Sequence, residues 1–185
     1  MKNEFKAQFP TITILVDEPL MNYTFTKTGG PADLLAFPKS AEETKALVDA
    51  CRIQQIPWMV LGNASNLIVK DGGIRGLVIM LSDMTAVTVT DTLITAEAGA
   101  KLIDTTYEAL AASLTGFEFA CGIPGSIGGA VFMNAGAYDG EIREVFESCD
   151  VLLADGSILT LTNAEMDFSY RHTIIQEMDG IILRA

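Results

Sequence analysis

Between Gly122 and Ile142 the chain reads Gly-Ile-Pro-Gly-Ser-Ile-Gly-Gly-Ala-Val-Phe-Met-Asn-Ala-Gly-Ala-Tyr-Asp-Gly-Glu-Ile, a run of small residues too apolar for a linker. Glycines grouped this way suit backbone that takes unusual dihedral angles or lets a ligand touch the main chain. Pro124 stands where a first helical turn would begin, which leaves the amides of Gly125 and Ser126 as donors. A second segment of the same character, Gly62-Asn63-Ala64-Ser65-Asn66, follows the apolar run Trp58-Met59-Val60-Leu61 and precedes Leu67-Ile68-Val69. Such a polar turn between strands can point successive N–H groups at an anion, while its Asn and Ser side chains add hydrogen bonds without charge. Each loop alone also reads as an ordinary tight turn. Together they suit a diphosphate-bearing cofactor.

Other phosphate motifs are excluded. The glycines are spaced Gly-x-x-Gly-x-x-Gly-Gly, unlike the Gly-x-Gly-x-x-Gly dinucleotide turn, and no Gly-Lys pair exists for a P-loop. Cys51, Cys121 and Cys149 are odd in number and widely spaced beside a single histidine, which argues against a disulfide framework or a metal site. The formal charge of -12 disfavours nucleic acid and anionic membrane as partners. It does not forbid an anionic cofactor, because local amides act at contact distance while dispersed carboxylates are screened beyond roughly 8 to 10 Å. No signal peptide or transmembrane-length apolar run is present, so a cytoplasmic protein is expected.

The elements that must position these loops follow from patterning. An apolar share of 49% over 185 residues is globular. Leu34 to Phe37 reads as a strand, and Ser40 with Glu43 forms a capping box for a helix with Thr44, Leu47, Val48 and Cys51 on one face. Strands are predicted at 57–61, briefly at 67–69 after the polar loop, and at 77–81 after an Asp71-Gly72-Gly73 turn. This order fits a small α/β unit. Beyond Ser82 the pattern changes: a hairpin 87–90/93–96, a helix 102–114 with Ile103, Tyr107, Leu110 and Leu114 on one side, and a hairpin around Asp155-Gly156 whose sequence suits a type I′ turn. The final residues 180–185 read as a strand, without a cap or polar tail. A boundary is predicted near residue 82, giving subdomains 1–82 and 83–185.

Five motifs in order carry a specific resemblance: Asn22-Tyr23-Thr24 with Thr28-Gly29-Gly30-Pro31-Ala32-Asp33; Gly62 to Leu67; Asp71-Gly72-Gly73-Ile74-Arg75-Gly76; the whole 119–142 segment; and Tyr170-Arg171-His172. From about Pro19 onward the chain resembles the UDP-N-acetylenolpyruvoylglucosamine reductase family, FAD-dependent enzymes of peptidoglycan precursor synthesis. It looks closest to the subclass without an inserted loop in the substrate domain. The resemblance implies an α+β, two-subdomain FAD-binding fold of the vanillyl-alcohol-oxidase type. It implies NADPH as hydride donor and a UDP-sugar enolpyruvate as substrate. It places Gly62, Asn63, Ala64, Ser65 and Asn66 at the pyrophosphate, and Gly122, Ile123, Pro124, Gly125 and Ser126 against phosphate or flavin. Gly128 and Gly129 would allow close approach, with Asn134 and Gly136 also at the cofactor. Arg171 would be the catalytic residue that grips and polarises the substrate carboxylate, with Tyr138 and Tyr170 on the substrate side; His172 matches no family acid and is read as structural.

Two departures and one absence qualify this. The family's second loop has glycine where Ala64 stands, tolerable if the dihedrals there are ordinary for an L-residue. Lys27 replaces a common arginine, keeping the charge and losing the planar fork. The family's third domain, which supplies a protonating serine and an assisting glutamate and would pack on the flavin face, does not fall within these 185 residues. FAD binding without complete substrate reduction is therefore expected. The alternatives are a non-enzymatic flavin- or nucleotide-binding module, and another FAD oxidoreductase acting on an alcohol or aldehyde.

Overall fold

In the computed structural model, residues 2–185 are described, and they divide into two compact units, one ending at Asp83 and the other Met84–Ala185.

The first unit contains α1 (Lys2–Ala7), β1 (Thr13–Pro19), β2 (Pro31–Phe37), α2 (Ala41–Gln54), β3 (Trp58–Leu61) and β4 (Ile74–Met80). Its sheet has the order β1-β2-β4-β3, antiparallel at β1/β2 and parallel elsewhere. The predicted capping box forms by half: Ser40 is the N-cap and its Oγ accepts from the Glu43 amide at 3.2 Å, but the Glu43 carboxylate accepts from the Lys39 amide at 2.7 Å, one residue before the N-cap, and not from that of Ser40. Thr44, Leu47, Val48 and Cys51 are its buried residues. Leu20, Leu35, Phe37, Val69, Val78 and Met80 form a core cluster. Each large side chain buried there contributes about 1.5–3 kcal/mol. Residues 67–69 are irregular and not a strand. Neither α1 nor β1 is among the predicted elements.

A charged cluster ties α1 to this sheet. Asp33 Oδ1 accepts from Lys2 at 2.8 Å and Arg75 at 2.7 Å, its Oδ2 accepts from the Gly76 amide at 3.0 Å, and Lys2 also bonds Asp17. Lys2 first, then the Gly76 amide and the Arg75 charge, hold the Asp33 carboxyl below the usual carboxylate range. In acid the unfolded chain therefore binds a proton more readily than the folded one, so this contribution is complete above the unfolded value of about 3.9 and is lost as pH falls through the folded value. Asp33→Asn should cost about 1–3 kcal/mol at pH 7 and flatten the fall in the urea midpoint below pH 4. Urea titrations of both proteins from pH 3 to 7 check this.

The second unit contains β5 (Val87–Thr90), β6 (Leu93–Ala96), α3 (Leu102–Ala111), α4 (Ile127–Phe132), the short pair β7 (Gly136–Ala137) and β8 (Gly140–Glu141), β9 (Ser148–Leu153), β10 (Ile158–Thr162) and β11 (Gly180–Arg184). A β10-β9-β11 sheet and the β5-β6 hairpin are antiparallel. Mutual backbone bonds between Ala96 and Ala185, 2.8 and 2.9 Å, connect the hairpin to the β11 end. Two expectations are corrected. Helix α3 buries Leu102, Thr105, Thr106 and Ala109, while Tyr107 and Leu110 are 64% and 71% exposed. The turn at 154–156 is not type I′, since only Gly156 takes positive φ; Asp155 Oδ1 instead accepts from the Ser157 amide at 2.8 Å, as in a type I turn followed by a glycine bulge. Among the described residues, no helix is long and apolar enough to cross a membrane.

Candidate cofactor and substrate site

The loop after β3 is an array of unused donors. Among the described residues, no amide from Gly62 to Gly72 donates to an acceptor within the protein, and the side chains of Asn63, Ser65 and Asn66 make no bond to the rest of it. At Gly62 to Ser65, which are buried or half-buried, donors left unpaired within the protein are costly unless something else accepts from them. Ala64 corrects one expectation: its φ is 51°, not ordinary for an L-residue, at a strain of about 1–2 kcal/mol. The residue is 6% exposed and belongs to the core cluster, and its carbonyl accepts from the Phe25 amide at 3.2 Å, which offset that strain. Lys27 is exposed, with φ 54°.

In the second unit the 122–129 segment splits into two roles. Helix α4 starts at Ile127, not at Pro124, because Ser126 is its N-cap and accepts from the Gly129 amide at 3.3 Å. The Ile127 and Gly128 amides are taken by the Ala100 and Ala98 carbonyls at 2.8 and 2.9 Å. The Gly125 and Ser126 amides remain without an acceptor among the described residues. A Cβ at Gly122 or Gly125 would meet nothing within 4 Å, so the backbone there is bare, with Ile123 and Pro124 between. At Gly128 a Cβ would lie 2.8 Å from that of Ala98: this glycine brings the helix against residues 98–100 rather than opening space for a ligand. Gly129 is exposed. In each unit taken by itself, unpaired amides beside bare glycine backbone or neutral polar side chains offer donors that suit a phosphate group, so the residues present fit FAD.

The structure gathers the other candidates around a cavity of about 330 Å³ lined by Asn134, Gly136, Tyr138, Tyr170 and Arg171. Tyr170 and Arg171 form the tip of a tight turn closed by mutual bonds between Ser169 and His172 at 3.1 and 3.2 Å, with Arg171 at φ 56°. Arg171 Nη2 donates to the Gly136 carbonyl at 3.0 Å, and its guanidinium carbon lies 5.5 Å from the Tyr170 ring centroid. Tyr138 and Tyr170 are 87% and 85% exposed. Gly136 pairs with Glu141 in the β7/β8 hairpin, and a Cβ on it would sit 2.7 Å from the Gly140 carbonyl. The wall also carries Asp139, Glu141, Arg143 and Glu144, to which the sequence assigns no role; Glu141 and Arg143 pair. His172 faces Glu177, with Nε2 3.5 Å from Oε1. Cys121, next to the bare backbone, is exposed, whereas burial pushes the Cys51 and Cys149 thiols up to about 12.

Over 94% of its length the chain is 66% identical to the UDP-N-acetylenolpyruvoylglucosamine reductase of Enterococcus faecalis, covering 58% of that protein. The solved reductase of the same name from Thermus caldophilus is 34% identical and superimposes with a TM-score of 0.76, over 94% of this chain and 60% of that one. Glucooligosaccharide oxidase from Acremonium strictum, at 20% identity and a TM-score of 0.67 over 98% of this chain and 42% of its own, shares the fold alone. The chain thus spans about three fifths of the length of the reductases it matches, and its fold is the FAD-binding fold of the vanillyl-alcohol-oxidase type. The FAD binding domain family matches residues 32–162, well over half of the chain, and this chain belongs to it.

Proposed function

We propose that this chain is the FAD-binding part of an NADPH-dependent reductase that converts UDP-N-acetylglucosamine enolpyruvate to UDP-N-acetylmuramate in the cytoplasm. The observation that carries this is Arg171 at the rim of an open cavity, in a chain so similar to named reductases. FAD, when bound, supplies the hydride that NADPH has delivered to it. The protein's part is positioning and charge. One Arg171 nitrogen is occupied by the Gly136 carbonyl, which fixes the guanidinium while its other donors stay available for a carboxylate. A guanidinium stays protonated at any working pH, so it grips the substrate carboxylate and stabilises negative charge developing next to it. The Glu141–Arg143 pair offsets one carboxylate that would otherwise repel an anionic substrate. In this proposal the acid that protonates the neighbouring carbon, and the glutamate that assists it, come from the part of such reductases that this chain does not span.

The purified chain should retain near-stoichiometric FAD after gel filtration and show its visible absorption spectrum. At pH 8 one thiol of the three, Cys121, should react with an alkylating reagent, because the reacting species is the thiolate and the other two thiols are buried. Added FAD should slow that reaction. A colourless protein whose Cys121 alkylation ignores FAD would overturn the assignment.

A further inference from the structure

We infer that Asn134 and Gln176 are positioning residues for Arg171, a role that rests on the carboxylate-gripping function proposed for that arginine. The Tyr170-Arg171 turn tip is exposed, so packing does not fix its geometry. Polar contacts do. Asn134 is 1% exposed; its Nδ2 donates to the Ser169 carbonyl at 3.0 Å and its Oδ1 accepts from the Arg143 amide at 3.1 Å. The amide orientation is unambiguous, since a carbonyl can only accept and an N–H can only donate. One side chain thereby ties the turn that bears Arg171 to the segment that bears Arg143, two walls of the cavity. From the other side, Gln176 Nε2 donates to the Arg171 carbonyl and to the Phe132 carbonyl, both at 3.0 Å, and Thr173 Oγ1 donates to Phe132 at 2.9 Å. The carbonyls of residues 169 and 171 are thus held by amides anchored at the end of α4. So buried and so engaged, Asn134 offers little surface to a cofactor, and its family-motif position is explained by the turn it holds.

The test compares Asn134→Ala, Asn134→Asp and Gln176→Ala with Arg171→Ala, singly and in pairs, in the full-length protein loaded with FAD. The readouts are FAD per protein, the rate of flavin bleaching by NADPH, and the rate at which the enolpyruvyl substrate reoxidises the reduced flavin. Asn134→Asp keeps the acceptor for Arg143 and loses the donor to Ser169, so it isolates the hold on the turn. The expected result is FAD retained, bleaching unchanged and reoxidation slowed about 10²-fold, since a small misplacement of a gripping group costs that much. In the Arg171→Ala background the same changes should cost less than about twofold, because the lost step already depends on Arg171. Equal costs in both backgrounds, or loss of FAD from Asn134→Asp, would overturn the positioning role while leaving that of Arg171 intact. If Arg171→Ala alone left reoxidation unchanged, the reading of Arg171 would fail and this inference with it. Should both Asn134 variants fail to fold, Gln176→Ala, at an exposed position, decides by the same cycle.

Discussion

Arg171→Ala should leave FAD bound and its bleaching by NADPH unchanged, while substrate-driven reoxidation of the flavin slows on the order of 10²–10³-fold. The separation follows from where the side chain sits. Among the described residues its side chain makes one hydrogen bond, to the Gly136 carbonyl, and lies beside the Tyr170 ring, both at the open cavity; the unpaired amides of residues 62–66, 125 and 126 make no bond to it. Arg171→Lys should recover part of the loss: it restores the charge but not the planar fork that lets one nitrogen hold Gly136 while others meet a carboxylate. Stopped-flow measurement of each half-reaction in the full-length protein separates the two steps. Equal slowing of both by Arg171→Ala would make the residue a general support of the flavin site.

What was legible in the sequence is what depends on neighbours in the chain. The β5/β6 hairpin was read residue for residue, and α2 was legible in its cap and buried face because Ser40, Glu43 and the i, i+3, i+4 apolar spacing are local signals. The buried face of α3 was not. Apolar periodicity pointed to Tyr107 and Leu110, whereas the tightly packed side carries Thr105 and Thr106, whose hydroxyls return to the Lys101 and Ile103 carbonyls at 2.9 and 2.7 Å and so enter the interior without an unpaired group. The glycine loops stood out because backbone cradles demand composition. The roles within them were not separable: Gly125 is bare while Gly128 meets Ala98, a distinction set by a segment some thirty residues upstream. Asn134 acts on Ser169, 35 residues away, and no spacing rule reports such a bond.

Gly30→Ala should cost on the order of 3–5 kcal/mol and release FAD, although residue 30 belongs to no cofactor loop. A Cβ there would lie 1.8 Å from the Asp71 carbonyl oxygen, 2.6 Å from its carbon and 2.8 Å from the Gly73 nitrogen, all backbone atoms that no rotamer change can remove. The two chains run this close because they are bonded: the Gly30 amide donates to the Lys70 carbonyl at 3.0 Å, the Gly73 amide to the same carbonyl at 2.9 Å, and the Gly30 carbonyl accepts from Leu20 at 3.1 Å. This clamp, with the Arg75 guanidinium that donates to the Gly72 carbonyl at 2.8 Å, anchors the downstream end of the 62–72 segment, whose own amides make no bonds among the described residues, so opening it frees the backbone of residues 70–73 from residue 30. Gly73→Ala should behave alike, its Cβ falling 1.9 Å from the Pro31 carbonyl at a φ of 70°. Gly72→Ala is the control one residue away: a Cβ there meets nothing within 4 Å, and the change should stay within about 0.5 kcal/mol. The single tryptophan, Trp58 on β3, reports unfolding of this unit by fluorescence in urea. An unchanged midpoint for Gly30→Ala would mean that the two backbones separate at little cost, and the cradle would then owe its shape to the core beneath Ala64 and Val69 instead of to the clamp.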